Sequence, residues 1–94
     1  MKKALVVDDE PGILELTAVV IGGMGYEVVQ ASDGTEAIQN LERGVFDLVV
    51  TDLGLLGADG AKVAAAAKKQ NPDTRVVIMT AYDADLIGSK SGAD

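Results

Sequence analysis

Phe46-Asp47-Leu48-Val49-Val50-Thr51-Asp52 is a short apolar run that ends on an acid. It is too brief for a helix, and glycines and Asp59-Gly60 follow it, so it reads as a parallel strand covered on both faces. A carboxylate at the carboxyl end of such a strand points at the crevice where open α/β sheets take ligands. Asp52 is therefore the first candidate for chemistry. Lys3-Ala4-Leu5-Val6-Val7 ends in the same manner, on Asp8-Asp9-Glu10. Placed side by side, the two strands deliver three or four acids to one pocket.

The rest of the chain alternates around these strands. Pro11 falls at a first helical position, with Asp9 or Glu10 as its cap, and the helix runs to about Ile21 with Ile13, Leu14, Ala18 and Ile21 on one face. Gly22-Gly23-Met24-Gly25 ends it. Tyr26 to Ala31 is the second strand. Asp33-Gly34-Thr35-Glu36 has the spacing of a capping box, opening a helix from Thr35 to about Arg43 with Ala37, Ile38 and Leu41 inward. An alanine-dominated helix leads from Gly60 to Asn71-Pro72. Arg75 to Thr80 is the fourth strand, and Asp83 to about Ser91 reads as one short helix. Strict alternation of strand and helix implies right-handed crossovers and a parallel sheet between helical layers.

Ninety-four residues make one small domain, residues 1–94, with a 48% hydrophobic fraction and only three aromatics, so its core is small-grained. The chain has no cysteine and no histidine. That excludes disulfides, thiolate or His-ligated zinc, His-dependent nucleophilic catalysis and a phosphohistidine donor role. A net charge of −7 argues against a nucleic-acid surface, which needs a basic stripe to displace counterions, so any DNA contact needs a partner. No apolar run reaches the ~18 residues of a membrane span. A cytoplasmic chain without a membrane segment is the expectation.

Asp8 and Asp9 taken alone are a modest signal, because acids at a strand end also serve simply to cap the following helix. Asp52 at the equivalent end of a neighbouring strand changes that reading, because clustered carboxylates repel one another unless a cation or proton compensates. Magnesium suits the pocket, since it takes a few carboxylates together with waters and a phosphate oxygen. Thr80 closes the fourth strand on a hydroxyl, which a β-branched strand residue explains equally well. The Gly22 to Gly25 run follows a helix and precedes a strand, the wrong order for a dinucleotide fingerprint. Lys62, Lys68 and Lys69 read as a solvated helix face.

Taken together, Leu5-Val6-Val7-Asp8-Asp9-Glu10-Pro11, Gly25-Tyr26-Glu27-Val28, Ala31-Ser32-Asp33-Gly34, Phe46 to Asp52, Asp59-Gly60, Asn71-Pro72-Asp73 and Val77-Ile78-Met79-Thr80-Ala81 resemble the receiver domain of bacterial two-component response regulators. The resemblance implies a flavodoxin-like α/β/α fold with strand order 2-1-3-4, the family's fifth strand and last helix being absent from this chain. It makes Asp52 the phosphoacceptor, holds Mg2+ on Asp8, Asp9, Asp52 and the carbonyl of Gly54, and turns the Thr80 hydroxyl toward the phosphoryl group. It implies a histidine kinase or phosphotransfer protein as partner, and phosphate acceptance without independent turnover.

Three departures accompany it. Leu56 stands where the family usually has a proline, the segment after Thr80 is about a turn short, and the family's phosphoryl-pairing lysine has no convincing counterpart, Lys90 included. Without a fifth strand the fourth becomes an edge, Val76 to Met79 lining unpaired backbone, and either a homodimer through that exposed fourth strand or a loosened monomer with the Asp83 to Asp94 tail mobile is expected. The alternative is an interaction or scaffold fragment of the same fold that does not signal. A magnesium phosphohydrolase is disfavoured because no general base beyond the metal-binding acids is apparent.

Overall fold

The structure is a computed structural model that describes residues 2–53 and 60–79. Its elements run β1 (Lys3–Val7), α1 (Pro11–Gly23), β2 (Glu27–Ala31), α2 (Gly34–Arg43), β3 (Leu48–Asp52), α3 (Gly60–Gln70) and β4 (Arg75–Met79). Every strand pair is parallel, in the order β2-β1-β3-β4, as expected. The short helix expected from Asp83 lies outside the described residues.

β1 and β3 are continuous apolar runs because both faces of each are covered. Leu5, Val7 and Val49 pack with α2 and α3 residues such as Leu41, Val63 and Ala67. Ala4, Val6, Leu48 and Val50 pack on Leu14 of α1. Alternate side chains of one strand thus serve two core layers, as the strand period requires. The alanines Ala64 and Ala67 are buried and let α3 lie close on the sheet. Register aligns Val6 with Val50 and Val50 with Val77, so Val7 and Asp52 end their strands at the same edge of the sheet.

Several local expectations are corrected. α1 extends to Gly23, and Ile13 is 45% exposed rather than inward; Leu14 and Ala18 carry the buried stripe, and Ile21 packs against it half-buried. Glu10 occupies the cap position of α1 without a side-chain hydrogen bond to the helix, so neither Asp9 nor Glu10 caps through its carboxylate. The capping box on α2 is half formed. The Glu36 N–H donates to Asp33 Oδ1 at 2.7 Å, but the Glu36 carboxylate accepts from the Ser32 hydroxyl at 3.1 Å instead of reaching back to the Asp33 N–H. Strand starts also differ: Phe46 and Asp47 precede β3, the Asp47 carboxylate accepting from the Lys3 N–H at 2.8 Å.

At the end of α1, Met24 N–H donates to the Ile21 carbonyl and Gly25 N–H to the Gly22 carbonyl. Gly25 then takes φ 99, a left-handed conformation that disfavours side-chain-bearing residues. This turn sends the chain straight into β2.

Thr74 fixes the start of β4. It is buried, and its hydroxyl donates to the Phe46 carbonyl at 2.6 Å, tying the entry of β4 to the entry of β3. Thr74→Val keeps the shape and removes the donor, so a destabilisation of about 1–3 kcal/mol is expected. Urea denaturation checks it. An unchanged midpoint would show that the carbonyl finds another donor.

Candidate functional site

Asp8 directly follows β1, Asp9 comes next, and Asp52 is the last residue of β3. The parallel pairing of β1 with β3 therefore brings the three carboxyl groups to one place. One oxygen from each lies within 4.8 Å of the others, with Asp8 buried and Asp9 and Asp52 half-buried. Glu10, the fourth acid of the sequence reading, is exposed and outside this group.

Asp8 is held at both its backbone and its side chain. Its N–H donates to the Ala31 carbonyl at 3.2 Å, which ties it to the end of β2. Its Oδ1 accepts the Glu10 N–H at 2.9 Å. One carboxylate oxygen thereby orders the turn into α1, and the other is left for chemistry. Asp8 and Asp9 also stand just ahead of the α1 N-terminus, where the helix dipole favours negative charge by roughly 0.3–1 kcal/mol.

Asp52 sits on the rung opposite Met79. The buried Thr51 hydroxyl donates to the Asp52 carbonyl at 3.0 Å, and the Leu53 N–H donates to the Met79 carbonyl at 3.1 Å. The backbone around Asp52 is therefore fixed from within β3 and from β4. These partners hold the carboxylate at the mouth of the sheet while leaving it reachable by solvent.

Gly60 lies against the candidate site in a way the sequence reading missed, having treated it as a turn signal, a motif residue and a lead into α3. Its N–H donates to the Leu53 carbonyl at 2.7 Å, and a Cβ built on it would meet the Asp52 carbonyl oxygen and come within 2.8 Å of Leu53 Cα. Glycine is needed there because α3 starts against the backbone of the acid-bearing strand. Asp59-Gly60 was the only sequence signal, and spacing alone does not show which backbone it approaches.

The donor set fits a hard divalent cation. Mg2+ takes oxygen ligands, commonly a few carboxylates together with waters, and one oxygen from each of the three carboxyl groups lies within 4.8 Å of the others. Gly54 and Thr80, the other expected site residues, lie outside the described residues, as does Leu56.

The family model described as the response regulator receiver domain matches residues 4–90. The alkaline phosphatase synthesis transcriptional regulatory protein PhoP of Bacillus subtilis (strain 168) is 38% identical over 99% of this chain and 40% of its own length. Sporulation initiation phosphotransferase F of the same organism is 37% identical over 92% of this chain and 70% of its own length. The chain spans between 18% and 40% of the length of the first transcriptional regulators it matches. Among solved structures, response regulator protein TrrA from Thermotoga maritima in complex with Mg(2+)-BeF superposes with a TM-score of 0.81 at 36% identity, covering 100% of this chain and 83% of that one. TrrA in complex with histidine kinase ThkA gives 0.80 at 37% identity, over 100% of this chain and 82% of that one. With the family model spanning the sheet, the three helices and all three clustered acids, the chain belongs to the response regulator receiver domain family.

Proposed function

We propose that this chain accepts a phosphoryl group on Asp52 from the phosphohistidine of a kinase or phosphotransfer protein. The observation that carries the reading is the meeting of Asp8, Asp9 and Asp52 at the carboxyl edge of β1 and β3. A carboxylate oxygen of Asp52 attacks phosphorus, an oxygen–phosphorus bond forms, and the nitrogen–phosphorus bond of the donor breaks, leaving its imidazole to take up a proton. Asp52 suits that part because it is the half-buried last residue of a central strand. Asp8 does not, since it is buried and spends one oxygen on the Glu10 N–H.

Asp8, Asp9 and Asp52 would hold Mg2+, with the Gly54 carbonyl as a further ligand and the Thr80 hydroxyl toward the phosphoryl oxygens. When bound, the cation offsets the negative charge that gathers on the transferring oxygens. The TrrA structure with Mg(2+)-BeF and the TrrA complex with a histidine kinase support the cation and the partner class. The domain acts as a regulatory acceptor without turnover of its own, in the cytoplasm, where ATP-fed kinases work. None of its described helices is long and apolar enough to cross a membrane.

Two measurements test the site. Peptide mapping after reaction with a small-molecule phosphoryl donor should find one adduct, on the peptide containing Asp52; an adduct on Asp8 or Asp9 instead would overturn the assignment. Magnesium titration followed by amide NMR should move resonances near Asp9 and Asp52 with weak affinity, because three carboxylates share the charge of one cation. Shifts confined to remote residues would mean that the cluster is not the metal site.

A further inference from the structure

Among the described residues the buried polar or charged side chains are Asp8, Thr51 and Thr74. Asp8 belongs to the acidic cluster, and Thr74 ties the entries of two strands together. Thr51 stands one residue before Asp52 and is fully buried. Its register partners are Val7 on β1 and Ile78 on β4, both in the core layer that packs on α2 and α3. Valine would fill that place with the same shape and without a hydroxyl that burial obliges to find a partner.

The hydroxyl donates to the Asp52 carbonyl at 3.0 Å. The covalent path from donor to acceptor runs through Cβ, Cα and the carbonyl carbon of Thr51, then through N, Cα and the carbonyl carbon of Asp52, so the hydrogen bond closes a ring. That ring contains ψ of Thr51 and both φ and ψ of Asp52. These soft torsions set where the Asp52 side chain points. A Cβ built on Gly60 would strike the same carbonyl oxygen, so the start of α3 bounds it as well.

We infer that Thr51 is a positioning residue for phosphoryl acceptance, its hydroxyl fixing the aim of the attacking carboxylate through the Asp52 carbonyl. The inference rests on Asp52 as the phosphoacceptor. It explains why the last buried rung of β3 carries threonine where packing is served equally well by valine.

Initial rates of labelling by acetyl phosphate with Mg2+, read by intact mass beside urea midpoints, test it. Thr51→Val is expected to slow labelling roughly tenfold, since misplacing an attacking group is costly. Thr51→Ser keeps the donor and loses a buried methyl, so it is expected to recover most of the rate while lowering the midpoint. Thr74→Val loses a buried hydroxyl bond at the end of β4 opposite Met79, the partner of Asp52. It is expected to lower the midpoint and keep the rate. Thr51→Val labelled at the original rate overturns the inference. So do valine and serine variants that are equally slow, which assigns the effect to packing, and a Thr74→Val chain slowed as much as Thr51→Val, which assigns it to general loosening. Should Thr51→Val fold poorly, Thr51→Ser against Thr51→Ala asks the same question, because both lose the methyl and only serine keeps the donor; serine is expected to be the faster, and equal rates overturn the inference. An unmodified chain that takes no label on Asp52 removes the acceptor reading and this inference with it, an outcome told apart from the others because it needs no variant.

Discussion

Asp52→Asn is expected to lose phosphoryl labelling to background, at least about 100-fold below the unmodified chain. An amide oxygen carries no full charge and is a poor nucleophile toward phosphorus, whereas the shape of the side chain is unchanged. Neighbouring acids do not rescue the reaction. Asp8 is buried with Oδ1 engaged by the Glu10 N–H, and Asp9 lies one residue further from the strand end. The variant keeps the fold, because Asp52 is only half-buried and asparagine matches its size and shape. Intact mass after donor treatment reads the result directly. Continued labelling of the variant, at the rate of the original chain, would sink the assignment of the phosphoacceptor.

Gly60→Ala is expected to damage stability and reaction together. The added methyl falls against the Asp52 carbonyl oxygen and 2.8 Å from Leu53 Cα, and both obstacles are backbone that no side-chain rotation relieves. Either α3 moves outward, losing the packing of Val63 and Ala64 on the sheet, or the end of β3 shifts and carries Asp52 with it. Overpacking of this kind costs about 1–3 kcal/mol. A displacement of roughly 1 Å at the attacking group slows a positioned reaction by on the order of 100-fold. Denaturation midpoints and the initial rate of donor labelling measure the two effects separately. If neither changes, the start of α3 adjusts without disturbing β3, and Gly60 is not a positioning residue.

The neighbouring Asp8 and Asp9 show how a site can be partly legible in sequence. Their place after an apolar run, matched by Asp52 after another, marked them as strand-end acids. Capping the next helix was an alternative explanation of Asp8 and Asp9 at that level. The fold separates the two explanations, because the α1 cap position falls to Glu10, which makes no capping hydrogen bond through its side chain, while a side-chain oxygen from each of Asp8, Asp9 and Asp52 converges within 4.8 Å.

What the sequence by itself determined was the parallel α/β architecture and the order of its elements. β1 and β3 read as continuous apolar runs because central parallel strands are buried on both faces, and helix ends were marked by Asp33, Gly25 and Pro72 through local backbone preferences. Such signals act over a few residues, so one chain displays them without its fold. Which face of α1 turns inward was not among them. With Ile13, Leu16, Val19 and Val20 all apolar, periodicity fitted Ile13 into the buried stripe, and only the burial of Leu14 and Ala18, with Leu14 packed on Val6 and Val50, decided otherwise. The same is true of Gly60. Its need for a bare Cα arises from the backbone of Asp52 and Leu53, which the crossover from β3 to α3 brings against it, and a contact made by tertiary packing leaves no periodic trace in the sequence.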